Sequence, residues 1–310
     1  MEIKLFSGRA NPGLANLVAR RLNIPLGNIR IEDFPDGELH VELEETVREH
    51  DVYIIQPTGP PVAENMLELF LVSDACHRAG ALRVTAVTPY FGYARQDRNT
   101  SGRGPISAKL MADLFSTAHI DRVVVVDLHN PSTEGFFNSV LVHLTAIPIL
   151  ADAVRNSGAS IIVSPDLGGA KLAGQFAVAL GLPVAIVHKE RISGETVTVH
   201  SLTGNVKGQK PLIVDDMVST GGTIEAAAKA LIAAGCEPDI TVAATHGLMV
   251  GPAVSRLEQI HLRRFYLTNS VALPPLGTLP VEEVDLSVLL AEAIRRMYEG
   301  KSLHELTAHR

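Results

Sequence analysis

The segment VDDMVSTGGT, Val214–Thr223, decides how the rest of the chain is read. A short apolar run, Leu212–Val214, leads into two adjacent carboxylates, Asp215 and Asp216. A loop with Ser219, Thr220, Gly221, Gly222 and Thr223 follows, then an amphipathic stretch from Ile224 to Ala234. Ile224, Ala228, Leu231 and Ile232 are expected on its apolar face, and Gly235 is the stop signal. Paired glycines let a backbone approach a ligand closely. Amides of Ser219 to Thr223, gathered at a helix N-terminus, suit a phosphate through backbone donors and the helix dipole. The hydroxyls of Ser219, Thr220 and Thr223 add donors. Carboxylates repel phosphate, so Asp215 and Asp216 suit sugar hydroxyls or a divalent cation. A turn with a Ser or Thr cap would explain the loop but not the carboxylate pair. The segment reads as a sugar-phosphate loop between a buried strand and a helix.

The same rhythm runs along the chain. Strands are expected at Tyr53–Gln56, Val84–Tyr90, Val123–His129, Ser160–Asp166, Val184–Lys189, Pro211–Asp216 and Ile240–His246. Several are apolar on both faces, the pattern of parallel strands buried between helices. Helices are expected at Asn65–Ala79, Ile224–Ala234 and Ser287–Glu299. Strand–helix alternation implies α/β architecture with right-handed crossovers. The 310 residues suit two similar domains, 1–146 and 147–310, each a mainly parallel sheet flanked by helices. Asp127 with His129, Asp166, Lys189, and Asp215 with Asp216 each close an apolar run. Open α/β sheets place ligands at those strand ends.

Composition narrows the function. Hydrophobic residues make up 46%, charged residues 20%, and there is no Trp. Few aromatics and a formal charge of −7 argue against a nucleic-acid surface. No stretch approaches about 18 consecutive apolar residues, so no membrane helix is expected. MEIKLFSG has neither the basic region nor the apolar run of a signal peptide, which points to the cytoplasm. Cys76 and Cys236 read as two reduced, buried thiols. With no GxxxxGK[ST], a Walker-type kinase is excluded.

Val214–Thr223 resembles the signature of the type I phosphoribosyltransferase fold. Further segments are similar to those of ribose-phosphate diphosphokinases: FPDGE (Phe34–Glu38), PYFGYARQDR (Pro89–Arg98), PISAKL (Pro105–Leu110), VDLH (Val126–His129), GFF (Gly135–Phe137), SPDLGG (Ser164–Gly169) and AEAIRR (Ala291–Arg296). Their order matches, and together they span nearly the whole chain. The resemblance implies transfer of the β,γ-diphosphoryl group of ATP to the C1 hydroxyl of ribose 5-phosphate, giving phosphoribosyl diphosphate and AMP.

It also implies roles. Phe34, Asp36, Gly37 and Glu38 match an adenine loop that the family supplies from a neighbouring subunit. A homo-oligomer built on dimers is therefore expected, a hexamer being one form. Read by itself, FPDGE is equally an ordinary turn. Arg95 and Gln96 match the other nucleotide-binding pair. His129 and Asp166 match ligand positions for Mg²⁺, although His129 is also suited to donate to an ATP phosphate. Lys189 and Arg191 match the start of a catalytic loop whose cations would stabilise the migrating group. Asp215, Asp216 and Ser219 to Thr223 match the ribose 5-phosphate site.

The chain departs from the family pattern at four places. Glu190 stands where the family has Arg, and Ser219 where it often has Asp. Asn130–Glu134 replaces a glutamine-containing segment, and Ser302–Arg310 lacks the usual Phe. Arg48 matches a regulatory-site arginine. A phosphoribosyltransferase and a non-catalytic regulatory homologue are the competing readings. FPDGE and YARQD weigh against the first. Intact Lys189, Arg191, Asp215, Asp216 and His129 weigh against the second.

Overall fold

A computed structural model describes residues 2–99, 102–191 and 197–308; the side chains of 189–191 and 197–200 lie outside that description. The chain divides into two units. The first comprises 1–145, 270–272 and 286–310, and the second 146–269 and 273–285. This differs from the expected contiguous split, 1–146 and 147–310, at 270–272 and at the C-terminal segment.

The first unit contains β1 (Ile3–Ser7), α1 (Pro12–Leu22), β2 (Ile29–Asp33), β3 (Leu39–Leu43), β4 (Asp51–Ile55), α2 (Val62–Arg78), β5 (Arg83–Val87), α3 (Ser107–Thr117), β6 (Arg122–Val126) and β7 (Val140–Leu144). Five strands form a wholly parallel sheet in the order β1-β4-β5-β6-β7. Val52, Ile54, Val84, Ala86, Val123 and Val125 alternate onto one face, where Met66, Leu69, Val72 and Phe115 cover them. β2 and β3 make a separate antiparallel ribbon. Its alternate residues Ile29, Ile31, Val41 and Leu43 pack on that same core.

Arg9 ties the ribbon to the sheet. Its Nη1 and Nη2 donate to the two carboxylate oxygens of Asp33, at 2.8 and 3.1 Å. Its Nε and backbone amide donate to Glu68, both at 2.6 Å. Glu68 is only 2% exposed and also accepts from Gln56. Asp33 first, then Glu68, holds the Arg9 guanidinium in its charged form. Arg9→Ala keeps the backbone amide but leaves the buried Glu68 short of its charge-assisted bond from Nε, at about 1–3 kcal/mol. The expected result is a thermal midpoint lower by several degrees in a calorimetric scan, partly restored by Arg9→Lys.

The second unit contains α4 (Ile147–Val154), β8 (Ile161–Ser164), α5 (Ala170–Leu180), β9 (Val184–Arg191), β10 (Val197–Thr203), β11 (Pro211–Val218), α6 (Gly222–Ala233), β12 (Ile240–Gly247), α7 (Ala253–Leu257), β13 (Leu262–Thr268) and β14 (Val281–Val284). Its sheet runs β10-β9-β8-β11-β12-β13-β14, with only the β9–β10 pair antiparallel. Both sheets are thus mainly parallel and flanked by helices, as the strand–helix alternation implied. In α6 the buried face is Ile224, Ala227, Ala228 and Leu231. Ile232 is 45% exposed rather than buried. It lies roughly 80° around the helix from Ile224, at the margin of the apolar stripe. Gly235 has φ of 84°. Its amide bonds Ile232 O while the Cys236 amide bonds Leu231 O, which closes the helix end as a Schellman motif.

The final helix, α8 (Ser287–Glu299), returns to the first unit and packs on α1. Arg21 Nε donates to Ser287 Oγ at 2.6 Å. Arg296, the last residue of AEAIRR, donates to Glu292, Ser302 O and Glu305. It thereby folds the tail back onto β7, where Thr145 N bonds Leu306 O and Ala308 N bonds His143 O. Both cysteines are buried and free. Burial pushes the Cys76 thiol up to about 12.

Candidate functional site

The second unit places its polar strand ends at one edge. From β8 the chain builds outward through β9 and β10; from β11 it builds the other way through β12 to β14. The order reverses between β8 and β11, the kind of switch point where open α/β sheets bind ligands. Asp166 follows β8, and Asp215 and Asp216, both half-buried, interrupt the buried run of β11 just before its last two residues, Met217 and Val218. Asp215 Oδ1 accepts from the Asp216 amide at 3.0 Å.

The loop from Ser219 to Gly221 then turns into α6. Its carbonyls are bonded from one side: Met249 N reaches Val218 O at 3.1 Å, and Val250 N reaches Ser219 O at 2.9 Å. Arg256 Nη1 adds a long contact to Thr220 O at 3.5 Å. In a trans peptide the N–H points opposite to its C=O. The amides of Ser219, Thr220 and Gly221 are therefore turned to the other side. Gly221, with φ of 76°, is the N-cap of α6, and no side-chain cap bond is made there among the described residues. The capping alternative for the loop hydroxyls is accordingly not what the loop shows. A Cβ on Gly221 would meet Leu257 Cγ at 3.1 Å and Ala253 O at 3.3 Å.

Asp166 closes a turn as well as ending a strand. Its Oδ1 accepts from Gly169 N at 3.1 Å, and Ser164 Oγ donates to its carbonyl at 2.6 Å. Lys189 and Arg191 belong by backbone to β9, paired with Val199 and Val197 of β10. The segment expected to open a loop is thus the end of an edge hairpin, because antiparallel pairing continues through Arg191. Their side chains, and the connecting residues 192–196, lie outside the described residues.

In the first unit, Arg95, Gln96 and His129 line one polar cavity of about 270 Å³, with Asp97, Arg98, Asn99, Gly104 and Pro105. Two backbone features aim them. Tyr93 has φ of 64° and Asp127 φ of 41°, each two residues before a lining residue. Positive φ in non-glycine residues concentrates at functional sites. Gln96 is held by Ser107 Oγ at 2.7 Å and through the Ala108 amide, which explains why PISAKL accompanies YARQD. Asp97, bonded by Arg98 and by Asn130, stays below the usual carboxylate range.

FPDGE is the tip of the β2–β3 ribbon. Phe34 N bonds Glu38 O, Gly37 N bonds Phe34 O, and Asp36 Oδ1 accepts from Glu38 N at 3.1 Å. Gly37 has φ of 90°. The ordinary turn is therefore formed, and it presents Phe34, 45% exposed. Phe34 stacks on His40 with centroids 5.2 Å apart. None of Phe34, Asp36, Gly37 or Glu38 lines the cavity of Arg95 and His129. His40 and Arg256 were missed in the sequence; each acts on a neighbour that only the folded backbone brings near.

No group of three or more metal-ligating side chains occurs among the described residues. No helix among them is long and apolar enough to cross a membrane.

Two mainly parallel α/β units, one with a carboxylate pair and an amide-lined turn at a switch point, define a phosphoribosyltransferase-type enzyme. Residues 3–118 match the N-terminal domain of ribose phosphate pyrophosphokinase, and residues 146–262 a phosphoribosyl transferase domain. The chain is 41% identical over 309 residues to a ribose-phosphate pyrophosphokinase of Gloeobacter violaceus, covering 98% of this chain and 93% of that protein. It is 42% identical over 307 residues to one from Chlorobaculum tepidum, covering 98% and 94%. The crystal structure of phosphoribosylpyrophosphate synthetase from Mycobacterium smegmatis superposes with a TM-score of 0.90 at 36% identity, covering 97% of this chain and all of that one. The chain belongs to the ribose-phosphate pyrophosphokinase family, kinase-type transferases of nucleotide biosynthesis.

Proposed function

We propose that this chain transfers the β,γ-diphosphoryl group of ATP to the C1 oxygen of ribose 5-phosphate. A bond forms from that oxygen to the β-phosphorus, the α–β bridging bond breaks, and AMP leaves. The observation that carries this reading is the carboxylate pair beside the inward-turned amides at the β8/β11 switch point. The amides and hydroxyls of Ser219 to Thr223 take the 5-phosphate. Asp215 and Asp216 accept from the ribose hydroxyls and so orient C1. Arg95, Gln96 and His129 bind the ATP phosphates, and Phe34 stacks on adenine while Asp36, Gly37 and Glu38 edge it. Lys189 and Arg191 meet the charge of the migrating group.

Asp166, with Asp215 or Asp216 nearby, supplies oxygen ligands for Mg²⁺; imidazole suits that ion poorly, so His129 is assigned first to phosphate and to the metal second. When bound, Mg²⁺ would neutralise phosphate charge. The separation of FPDGE from the cavity supports a homo-oligomer built on dimers, in which one copy's ribbon tip serves another's ATP. Light scattering on the eluting peak of a sizing column reads its size.

The test is direct. Purified protein with ATP, Mg²⁺ and ribose 5-phosphate is expected to yield AMP and phosphoribosyl diphosphate in equal amounts. ADP as the only nucleotide product would mean γ-phosphoryl transfer and sink the mechanism. No turnover would favour the regulatory homologue.

A further inference from the structure

We propose that His143 and Glu134 are positioning residues that hold the Leu128–His129 segment in its nucleotide-binding geometry. His143, on β7, is 4% exposed. Its Nε2 lies 2.9 Å from the Leu128 amide and its Nδ1 2.5 Å from Glu134 Oε1. An amide can only donate, so Nε2 accepts. The remaining ring proton of a neutral imidazole is then on Nδ1 and is given to Glu134. The bonds themselves assign the tautomer. This arrangement, a histidine oriented by a carboxylate behind it, is how supporting residues fix groups that touch ligand.

What is held is a strained turn. Asp127, 8% exposed, has a positive φ. Its amide bonds Leu144 O at 3.0 Å. Two consecutive amides, of Asp127 and Leu128, are thus fastened to β7 immediately before His129. β7 is fastened in turn by the tail, through Leu306 O and the Ala308 amide. Glu134 sits in a short 3-10 helix, Pro131–Phe136, whose N-cap Asn130 accepts from Ser132 N and donates to Asp97 in the cavity wall. The segment from 127 to 134 is therefore braced at both ends. The residues that depart from the family pattern, Asn130 and Glu134, are the ones that form the brace.

The inference rests on His129 belonging to the ATP site, and the variants separate the two claims. ATP affinity is measured by titration calorimetry with and without Mg²⁺, alongside the thermal midpoint, kcat and KM for ribose 5-phosphate. His143→Ala is expected to weaken ATP binding about tenfold, with KM for ribose 5-phosphate changed less than about twofold. Glu134→Ala is expected to weaken ATP binding about fivefold, and Glu134→Gln, which keeps an acceptor for Nδ1–H, to recover most of that loss. A His143→Ala protein with a lower midpoint but wild-type ATP affinity would mean an ordinary core histidine and overturn the proposal. So would Glu134→Gln as damaging as Glu134→Ala. If His143→Ala does not fold, the half-buried Glu134 pair decides alone. If His129→Ala leaves ATP affinity intact, the ATP-site reading itself is wrong.

Discussion

Gly221→Ala is expected to lower kcat/KM for ribose 5-phosphate by at least about a hundredfold, since loop shifts near 1 Å cost that much. Two independent costs meet at this position. The backbone is left-handed, φ 76° and ψ −11°, which costs an L-residue about 1–2 kcal/mol. The new methyl also lands 3.1 Å from Leu257 Cγ and 3.3 Å from Ala253 O, the second a backbone atom that cannot rotate away. Overpacking of this kind adds about 1–3 kcal/mol. The loop relieves both by moving, and its amides are the groups proposed to hold the 5-phosphate. Gly222→Ala is the control. Gly222 has no positive φ, and its Cβ would meet the tip of Arg256 at 3.3 Å, which can yield, and Thr220 Oγ1 at an ordinary 3.9 Å. Steady-state kinetics with ribose 5-phosphate varied should separate the two variants, and ATP affinity should change little in either. A Gly221→Ala enzyme with wild-type KM and kcat would show that this loop does not hold the sugar phosphate.

The strand, turn and helix around Val214–Thr223 were legible because the pattern is local. Strand, carboxylates, glycines and helix follow one another within the stretch Leu212–Ala234. The same holds for most central strands. β4, β5, β6, β8, β11 and β12 carry buried apolar runs, as does the start of β9, and read directly as strands, whereas β13, LRRFYLT, has two exposed arginines near its start and was not expected. β1, β7, β10 and β14 are edges or end partners in their sheets, and β2 and β3 form a ribbon with one wet face. Their runs are short and broken by charges, as in VEEV of β14, which weakens the alternation that would mark a half-buried strand. α8 was legible as a helix to the residue, Ser287–Glu299, yet its partner was not. An apolar stripe states that a helix is covered, not by which unit. His143 is the clearest case in the site. Nothing in VLVHLT separates it from any strand histidine; only the β6–β7 pairing brings it under Leu128.

Lys189→Ala and Arg191→Ala are each expected to lower kcat by about a hundredfold to a thousandfold, the usual effect of removing one donor aimed at developing charge. KM for ribose 5-phosphate is expected to move far less. The two cations sit at the carboxyl end of β9, next to β8 and two strands from Asp215 on β11. That edge is where the migrating diphosphoryl group must pass if the sugar phosphate is held by β11 and its loop. In transit, charge is redistributed over that group's oxygens and the bonds being made and broken, so cations placed to meet it there act on the barrier more than on substrate affinity. Alanine keeps the backbone of the β9–β10 hairpin, in which Lys189 pairs with Val199 and Arg191 with Val197, so the loss is of side-chain charge. Arg191→Lys adds a geometric test. If the guanidinium grips two phosphate oxygens at once, lysine restores charge but only part of the rate. Glu190, between them, reverses the sign of the family's middle residue. Glu190→Gln should then leave kcat within about threefold if its carboxylate stays clear of the phosphates, as an exposed charge separated by solvent does. A rise of KM with kcat unchanged in both alanine variants would mean that Lys189 and Arg191 bind ground state and transition state equally, and the charge clamp would have to be sought elsewhere.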